Sequence, residues 1–531
     1  MLNEQYEKFA KLNIYQIYPR SFMDSNNDGN GDLVGIISKL DYLKELNINA
    51  IWISPFFSSP MVDNGYDISD YLDINPIFGT FDDFKKLIFE AHKRGIKVIV
   101  DLVANHCSTK HRWFQEAIKD KNSKYHDYFY FFDEKPNDWQ SCFYGSAYEF
   151  VPSLNQYYLH SFAVEQADLN WENEEVRKEI RDIVDFYVEN GVDGFRCDVL
   201  DMISKNFNNP DGNHNGPRLH EFIRELFDRP HLKNIFTVGE CWCTTVENLV
   251  SFVGQDRHEL STSFQGDVVN VGINNCDKFI KGEFKYSDIA KNLDKWQKIS
   301  QNEDFLYTLF YENHDRLRSA TQFASADVSR YQLVTGLATM MYFLRGVPFI
   351  YQGQEIGSLN SNFSSILDFD DIETKNYYKD HVNLLDESEI IKRLNWNSRD
   401  NARRPICWDD STYGGFSNRD PWIKLDTNKD LINVKKDLLS ENSIYKYYSK
   451  IFDLRNKNEV FTIGEYELVE LNDSSYIYKR KRGNEEFLII ISFADHNKIN
   501  TYGFNQIVLS NSKYKEIPSE FKKLDAIVLK K

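Results

Sequence analysis

A repeating unit constrains the fold of this chain more than any other feature: an amphipathic helix, a turn, an apolar strand and then a polar cluster. In the clearest copy, a predicted helix over residues 81–94 precedes Gly95 and the strand KVIVDLV. Near-continuous apolar strands separated by helices are typical of a parallel sheet whose outer face is covered. Further copies are RDIVDFYVENGVDGFRCD, LHEFIRELFDRPHLKNIFTVGE and LVTGLATMMYFLRGVPFIYQGQE.

Acidic side chains follow the predicted strands at the same end each time. A closed barrel would bring these groups together on one rim, whereas an open sheet would spread them along a line. The sequence therefore predicts an α/β fold with a (β/α)8 barrel. The acidic residues are Asp101, Asp198, Glu240, Asp315 and Glu355.

The length of 531 residues predicts two or three domains. Helical periodicity fails over residues 107–172, which are dense in aromatic side chains and His, so we predict a subdomain inserted after strand 3. From residue 458 onward, short strands with a turn near Gly483 predict an antiparallel β-sandwich over residues 458–531. Residues 1–106 and 173–457 would then form the barrel.

Charge and hydropathy exclude several classes of partner. The chain has 63 basic and 81 acidic residues, a net charge of −18, and no basic block that would follow a phosphate backbone, so we expect no nucleic-acid partner. The N-terminus lacks a basic region followed by an apolar one, and no segment approaches about 18 consecutive apolar residues. We expect a cytoplasmic protein without a membrane partner, as a monomer or weak homo-oligomer.

Six motifs in order identify a family. The chain resembles the α-amylase family of glycoside hydrolases (glycoside hydrolase family 13), in its oligo-1,6-glucosidase and α-glucosidase branch, and the resemblance covers nearly the whole length. It implies a hydrolase that acts on small oligosaccharides. The motifs are DLVANH (101–106), QADLNW (166–171), GFRCDV (194–199), VGE (238–240), ENHD (312–315) and GVPFIYQGQE (346–355).

The resemblance assigns the catalytic groups. Cleavage with retention needs one carboxylate to attack the anomeric carbon and one carboxylic acid, roughly 5 Å away, to protonate the leaving oxygen. Asp198 would be the nucleophile and Glu240 the proton donor. Asp315 would be the third carboxylate, which stabilises the distorted sugar ring. Arg196 lies two residues before Asp198, on the same strand face, where its charge would keep the nucleophile ionised.

The resemblance also implies a pocket for one glucose. Tyr66 would stack under the non-reducing glucose, and Asp67 would bind its outer hydroxyls. A pocket closed at one end predicts release of single terminal glucose units. Four further residues would contact the same sugar: His106, His314, Arg318 and Arg403.

The residue after the nucleophile bears on linkage. Val199 is the residue type that the α-1,6-acting members carry, and it predicts a preference for isomalto-oligosaccharides. Several positions depart from the family pattern, and these leave the aglycone open: Arg316, Leu317, Gln354 and Arg404. The alternatives are a trehalose-6-phosphate hydrolase, an α-1,4-glucosidase or sucrase, and a sucrose isomerase, with a non-catalytic family member as the alternative of another class. We expect the two additional arginines to pair with nearby carboxylates.

An acidic loop near the N-terminus alternates oxygen ligands as a calcium loop does. It departs from the EF-hand, because Gly35 stands at the twelfth position, so the family's own metal loop is the better match. The alternative is a polar turn without metal. The implied ligands of a structural Ca²⁺, or Mg²⁺, are the side chains of Asp24, Asn26, Asp28 and Asp32 and the carbonyl of Asn30.

Cysteines flank the catalytic motifs. We expect a thiol-alkylating reagent to inactivate the enzyme and bound substrate to protect it. The cysteines concerned are Cys107, Cys197, Cys241 and Cys243.

Overall fold

Eight parallel strands form the centre of the molecule. The structure is a computed structural model that describes residues 3–242 and 245–531. Hydrogen bonding joins the strands in the order β6-β5-β4-β3-β2-β1-β8-β7, which is the order of a barrel. The strands are β1 (Ile14–Ile17), β2 (Ala50–Ile53), β3 (Lys97–Val103), β4 (Gly194–Asp198), β5 (Phe236–Gly239), β6 (Thr262–Ser263), β7 (Thr308–Leu309) and β8 (Val347–Tyr351).

Side chains help to join β6 to β7, where the ring closes. The hydroxyl of Thr262 donates to the carbonyl of Leu306 at 2.9 Å, and that of Thr308 donates to the carbonyl of Ser263 at 3.3 Å. The predicted barrel is confirmed. Because all eight strands are parallel, their carboxyl ends meet at one rim.

Helices cover the outer face of the barrel. In the helix Phe81–Lys93, Thr80 and Asp83 form a capping box, and Phe84, Leu87 and Ala91 are buried against the sheet. No described helix is long and apolar enough to cross a membrane. The helices are Glu4–Ala10, Leu33–Ser38, Leu40–Glu45, Phe81–Lys93, Arg112–Ala117, Glu174–Glu189, Leu219–Phe227, Val246–Val253, Tyr286–Asn302, Ser319–Gln322, Arg330–Tyr342, Ile372–His381, Glu387–Asn397, Asp400–Arg403, Val434–Leu439, Ile444–Lys457 and Glu459–Thr462.

The segment after β3 carries short strands of its own. Phe131–Phe132, Gln156–Leu159 and Tyr148–Val151 form a small antiparallel sheet. A second pair, His106–Ser108 and Gln166–Asp168, ties this segment to the end of β3. The domain bounds at residues 107 and 172 stay a prediction. A further two-stranded pair after β2 consists of Phe57–Ser58 and Asp70–Ile74.

The C-terminal region forms a five-stranded antiparallel sheet, as its short strands predict. One residue of the basic run at 479–482 is buried rather than exposed. Arg480 is fully buried, and its guanidinium donates to the carbonyls of Phe343, Phe461 and Gly464, so it joins the sheet to the barrel. A basic run beside a turn is typical of a solvent-exposed hairpin tip, and Arg480 departs from that pattern. In spatial order the strands are Glu465–Leu471, Ser475–Arg482, Glu485–Ser492, Ala526–Lys530 and Gln506–Ser510.

We predict that Arg480→Ala lowers the free energy of unfolding by about 2 to 5 kcal/mol, because several buried carbonyls lose their donor. Arg482→Ala is the matched control: this side chain is 44% exposed and pairs with Glu459 at 3.3 Å, so the change is expected to stay below about 1 kcal/mol. Urea denaturation of the three proteins measures both effects. Equal stability of the two variants would contradict the role of Arg480.

Candidate active site

Three carboxyl groups converge on one buried guanidinium at the carboxyl rim of the barrel. Arg196 in β4 contacts Asp101 of β3 at 2.5 Å, Asp198 at the end of β4 at 2.7 Å, and Glu240 just after β5 at 2.5 Å. Asp198 and Glu240 are held by Nη1 and Nη2 of the same side chain. Trp52 of β2 fixes Asp101 through its indole N–H at 2.7 Å. Adjacent strands therefore place the predicted nucleophile and acid side by side.

Burial and the positive charge of Arg196 shift the pKa values of Asp198 and Glu240 in opposite directions. Burial raises the pKa of Asp198, and the adjacent Arg196 partly offsets this, with a net value of about 7. Burial likewise raises the pKa of Glu240 against the influence of Arg196, and neighbouring Asp198 raises it further. Because the negative charge of Asp198 disfavours a second charge on Glu240, the pair favours one ionised and one protonated member near neutral pH. Retaining hydrolysis requires these two protonation states, an ionised nucleophile and a protonated acid.

The surroundings of Asp315 lower its pKa, unlike those of Asp198 and Glu240. Burial raises its pKa, but His314, Arg403 and Arg399 reverse the effect and hold the pKa well below its usual range. Burial also lowers the pKa of His314, so its imidazole is neutral at pH 7 and the permanent charges that stabilise Asp315 are the two arginines. Arg403 donates to Asp315 at 2.7 Å. Asp315 therefore stays ionised beside the pair.

These groups line a cavity of about 320 Å³. Tyr66 lies in its wall, stacked on His314 with ring centroids 5.3 Å apart and hydrogen-bonded to it at 2.7 Å. His106 also lines the cavity, where its ring contacts Gln166. Six of the predicted site residues border this space: Tyr66, His106, Asp198, Val199, Glu240 and Asp315.

The prediction for Asp67 needs correction. Its side chain is completely buried, and its oxygens accept bonds from Ser59, the Val62 amide and the Asp63 amide. Of the two aspartates in the motif DNGYD, Asp63 borders the cavity, and it forms a 3.0 Å salt bridge with Arg399. The motif DNGYD offers two acidic residues, and only the turn geometry decides which one faces the cavity.

The predicted sugar contacts of Arg318 and Arg403 also need correction. Arg403 lies behind Asp315 and also donates to the carbonyl of His314 at 3.1 Å. Arg318 is buried against Glu312 and the carbonyl of Gln352. Neither guanidinium borders the cavity, whereas Arg399 does. Sequence reasoning missed Asp63 and Arg399, although their charges and their places near recognised motifs were visible.

Val199 adopts an unusual backbone conformation. Its φ of 35° and ψ of 46° lie in the left-handed region, which β-branched residues rarely occupy. Its amide lies 3.3 Å from Oε2 of Glu240, and its side chain borders the cavity. The turn after β4 thus places the side chain of Val199 at the cavity and its amide beside the predicted acid.

The residues that depart from the family pattern separate into two groups. Arg404 is buried and pairs with Asp426 at 3.4 Å, and Gln354 donates to Tyr342 inside the protein. Leu317 is also fully buried. Arg316 instead borders the cavity and lies over the indole of Trp242. The expected pairing with a carboxylate is confirmed for Arg404, whereas Arg316 donates to Asn270 at the cavity wall.

Burial argues against the predicted alkylation sites. Cys107, Cys197 and Cys241 are at most 1% exposed, and burial raises the pKa of each thiol. Cys243 lies outside the described residues. Cys142, which no motif singles out, is exposed and borders the cavity. Any alkylation that substrate blocks is therefore expected at Cys142 rather than at the three buried thiols.

The N-terminal acidic loop is a series of tight side-chain turns. Asp24 accepts from the amides of Asn27 and Gly29, and Asp32 accepts from the amide of Gly35 and caps the helix Leu33–Ser38. Asp28 accepts from the amide of Asn30. The side chains offer the oxygen donors that Ca²⁺ prefers. Within residues 3–242 and 245–531, however, no three His, Cys, Asp or Glu side chains form a cation-binding group, so an ion would depend on amide and carbonyl oxygens as well.

Comparison with known proteins gives a consistent picture. The family model "Alpha amylase, catalytic domain" matches residues 16–464. An oligo-1,6-glucosidase of Parageobacillus thermoglucosidasius is 42% identical, with 92% of this chain and 90% of that protein covered. A trehalose-6-phosphate hydrolase of Bacillus subtilis is 39% identical, with 93% and 91% covered.

Solved structures agree over the whole length. The trehalose-6-phosphate hydrolase of Bacillus licheniformis superimposes with a TM-score of 0.90 at 38% identity, covering 98% of this chain and 99% of that one. Isomaltulose synthase of Erwinia rhapontici NX5 gives 0.93 at 34% identity, covering 98% of both chains. These relatives share a fold and differ in the reactions that their names state.

We predict a bell-shaped pH profile of kcat/KM with its optimum near neutrality. Activity needs Asp198 ionised and Glu240 protonated, and burial raises the pKa of both groups. Protonation of the pair ends activity on the acidic side, and loss of its last proton ends it on the basic side. Initial rates with isomaltose across the pH range measure the profile. A plateau that extends down to about pH 4 would show that Asp198 keeps an ordinary carboxyl pKa.

Proposed function

The chain belongs to the α-amylase family of glycoside hydrolases, and we propose that it is a retaining, exo-acting α-glucosidase that releases terminal glucose from short α-1,6-linked glucosides. The observation that carries the proposal is the pair of carboxyl groups, Asp198 and Glu240, on adjacent nitrogens of Arg196 at the wall of a small cavity. A shared guanidinium holds the two carboxyl groups in neighbouring positions, which suits direct attack on the sugar by one of them.

The geometry supports a two-step reaction. Asp198 attacks the anomeric carbon and Glu240 gives its proton to the leaving oxygen, so a covalent glucosyl-enzyme forms. Glu240 then takes a proton from water, which attacks the anomeric carbon and releases glucose and the free Asp198 carboxylate. Asp315 stays ionised and stabilises the positive charge that develops on the ring.

The size and boundary of the cavity support action at a chain end. Asp63 and Arg399 form a buried salt bridge that borders the cavity and presents charged groups to sugar hydroxyls. Tyr66 supplies an aromatic wall that is held in place by His314. Paired charges and a stacked ring are fixed features, so this boundary suits one terminal glucose rather than a continuous polymer.

The linkage preference rests on Val199 and on the relatives. Val199 borders the space where the leaving group lies, and relatives named oligo-1,6-glucosidase reach 42% identity. One observation favours a second candidate, a trehalose-6-phosphate hydrolase: Arg316 brings a positive charge to the same space, where it would attract a phosphorylated aglycone. Relatives with that name also match most of the chain.

We predict that kcat/KM for isomaltose exceeds that for maltose, sucrose and trehalose 6-phosphate. Val199→Ala should shift the isomaltose-to-maltose ratio by about tenfold towards maltose, because the smaller side chain changes contacts with the leaving sugar. Val188→Ala, on the helix Glu174–Glu189 away from the cavity, is the matched control. Asp198→Asn should lower kcat by about a thousandfold or more.

Each outcome of this panel is decisive. If activity is highest on trehalose 6-phosphate, the proposal of an α-1,6-glucosidase is wrong and that of a trehalose-6-phosphate hydrolase takes its place. Products that retain the glucose in a new disaccharide would indicate an isomerase. An Asp198→Asn enzyme as active as the wild type would refute the nucleophile assignment.

We also propose that the protein is cytoplasmic and acts as a monomer or weak homo-oligomer, with a small oligosaccharide as its partner and without nucleic acid or membrane. The acidic net charge of −18 supports the part of this proposal that excludes nucleic acid as a partner. Fractionation of the source cells and sedimentation of the purified enzyme test it.

We propose that the loop of Asp24, Asn26, Asp28, Asn30 and Asp32 holds a structural Ca²⁺, or Mg²⁺. Bound cation stabilises the folded state, so removal by EDTA should lower Tm by several degrees and added Ca²⁺ should restore it. Asp28→Asn should weaken the response, and Asp120→Asn, an exposed acidic residue elsewhere, is the control. An identical Tm with and without EDTA would favour a polar turn without metal.

A further inference from the structure

One aromatic and one cationic side chain lie near the predicted acid and have no role in the two-step reaction described above. Trp242 follows Glu240 by two residues, and Arg316 follows Asp315 directly. We propose that Arg316 and Trp242 form a stacked pair that positions the carboxyl group of Glu240 and sets the pH at which it loses its proton. Both would be positioning residues, and the inference rests on the proposed function.

Trp242 holds one oxygen of the acid. Its indole N–H donates to Oε1 of Glu240 at 2.6 Å. The other oxygen, Oε2, lies 2.5 Å from Arg196 and 3.3 Å from the Val199 amide. Both oxygens of the carboxyl group are therefore tethered, one to the rigid end of β4 and the other to the indole. The indole is the tether that faces the cavity.

Arg316 covers the face of that indole. Its guanidinium carbon lies 4.5 Å from the ring centroid, and Asn270 accepts a hydrogen bond from its Nη1 at 2.8 Å. A cation over the ring is attracted to the π-electrons and fixes the orientation of the ring. It also polarises the indole, which strengthens donation by the N–H to the carboxyl group. Arg316 thus acts on Glu240 through Trp242.

The charged surroundings of Glu240 determine the sign of the effect. Burial and the neighbouring Asp198 and Asp315 raise its pKa, whereas Arg196 lowers it. An N–H donor and a nearby cation favour the ionised form, so Trp242 and Arg316 also act to lower it. Their removal should move the basic limb of the pH profile upward. The ionisable groups that face Glu240 are Asp101 from β3, Arg196 and Asp198 from β4, and His314, Asp315 and Arg316 from the segment after β7.

Conservative variants separate the two contributions. Trp242→Phe keeps an aromatic face for the cation and removes the N–H. Arg316→Met keeps a flexible side chain and removes the charge, whereas Arg316→Lys retains a cation and should restore most of the wild-type behaviour. Thermal unfolding verifies that each protein is folded, and Arg316→Met tests the proposal independently of Trp242→Phe.

Two leaving groups provide the readout. Isomaltose needs a proton from Glu240, whereas 2,4-dinitrophenyl α-glucoside releases an anion that needs none. For Trp242→Phe and Arg316→Met we expect kcat on isomaltose to fall about tenfold or more, with activity on the aryl glucoside changed by about twofold or less. The basic limb of kcat/KM for isomaltose should rise by about half a unit to one unit.

The double variant tests whether the two residues act together. If Arg316 acts through the indole, the pH shift of Trp242→Phe combined with Arg316→Met should be smaller than the sum of the single shifts. Additive shifts would overturn the coupled pair, and an unmoved basic limb with equal losses on both substrates would overturn the positioning role. Failure of the wild-type enzyme to cleave either glucoside would instead refute the proposed function.

Discussion

The site depends on one buried cation. Arg196 is 1% exposed and contacts three acidic side chains from β3, β4 and the end of β5. A guanidinium removed from water is costly to leave unpaired, and so are the carboxyl groups around it. Each charged group is therefore tolerated in the interior only because the barrel places its partners within reach. The same contacts thus stabilise the rim and position the groups of the site.

A second set of charges extends this arrangement around the cavity. Arg399 lies between Asp63 and Asp371, and Arg403 between Asp315 and the carbonyl of His314. Alternating charges fix each other's orientation without help from substrate, so the groups are arranged before the sugar arrives. The two arginines of this arrangement help to keep Asp315 ionised, whereas burial favours a proton on the pair formed by Asp198 and Glu240.

Two features of the rim meet in the part of the cavity beside Glu240. Val199 occupies a left-handed turn that its β-branched side chain would otherwise avoid, and the surrounding rim holds it there. Across the same space, Arg316 stacks on Trp242, whose indole binds the acid. Structures named as a hydrolase and as a synthase both superimpose on this chain, so the barrel by itself does not decide which reaction takes place.

The sequence by itself predicted the barrel and the C-terminal antiparallel strands, because hydrophobic periodicity is a local pattern, and its resemblance to the family pointed to Asp198, Glu240 and Asp315. Tertiary structure alone decided that Asp63 faces the cavity and Asp67 does not, that Arg399 replaces Arg318 and Arg403 at its wall, and that Arg480 is buried in a run of exposed charges. The physical reason is that a motif fixes which groups are near a rim, whereas the direction of each side chain depends on partners far away in the chain.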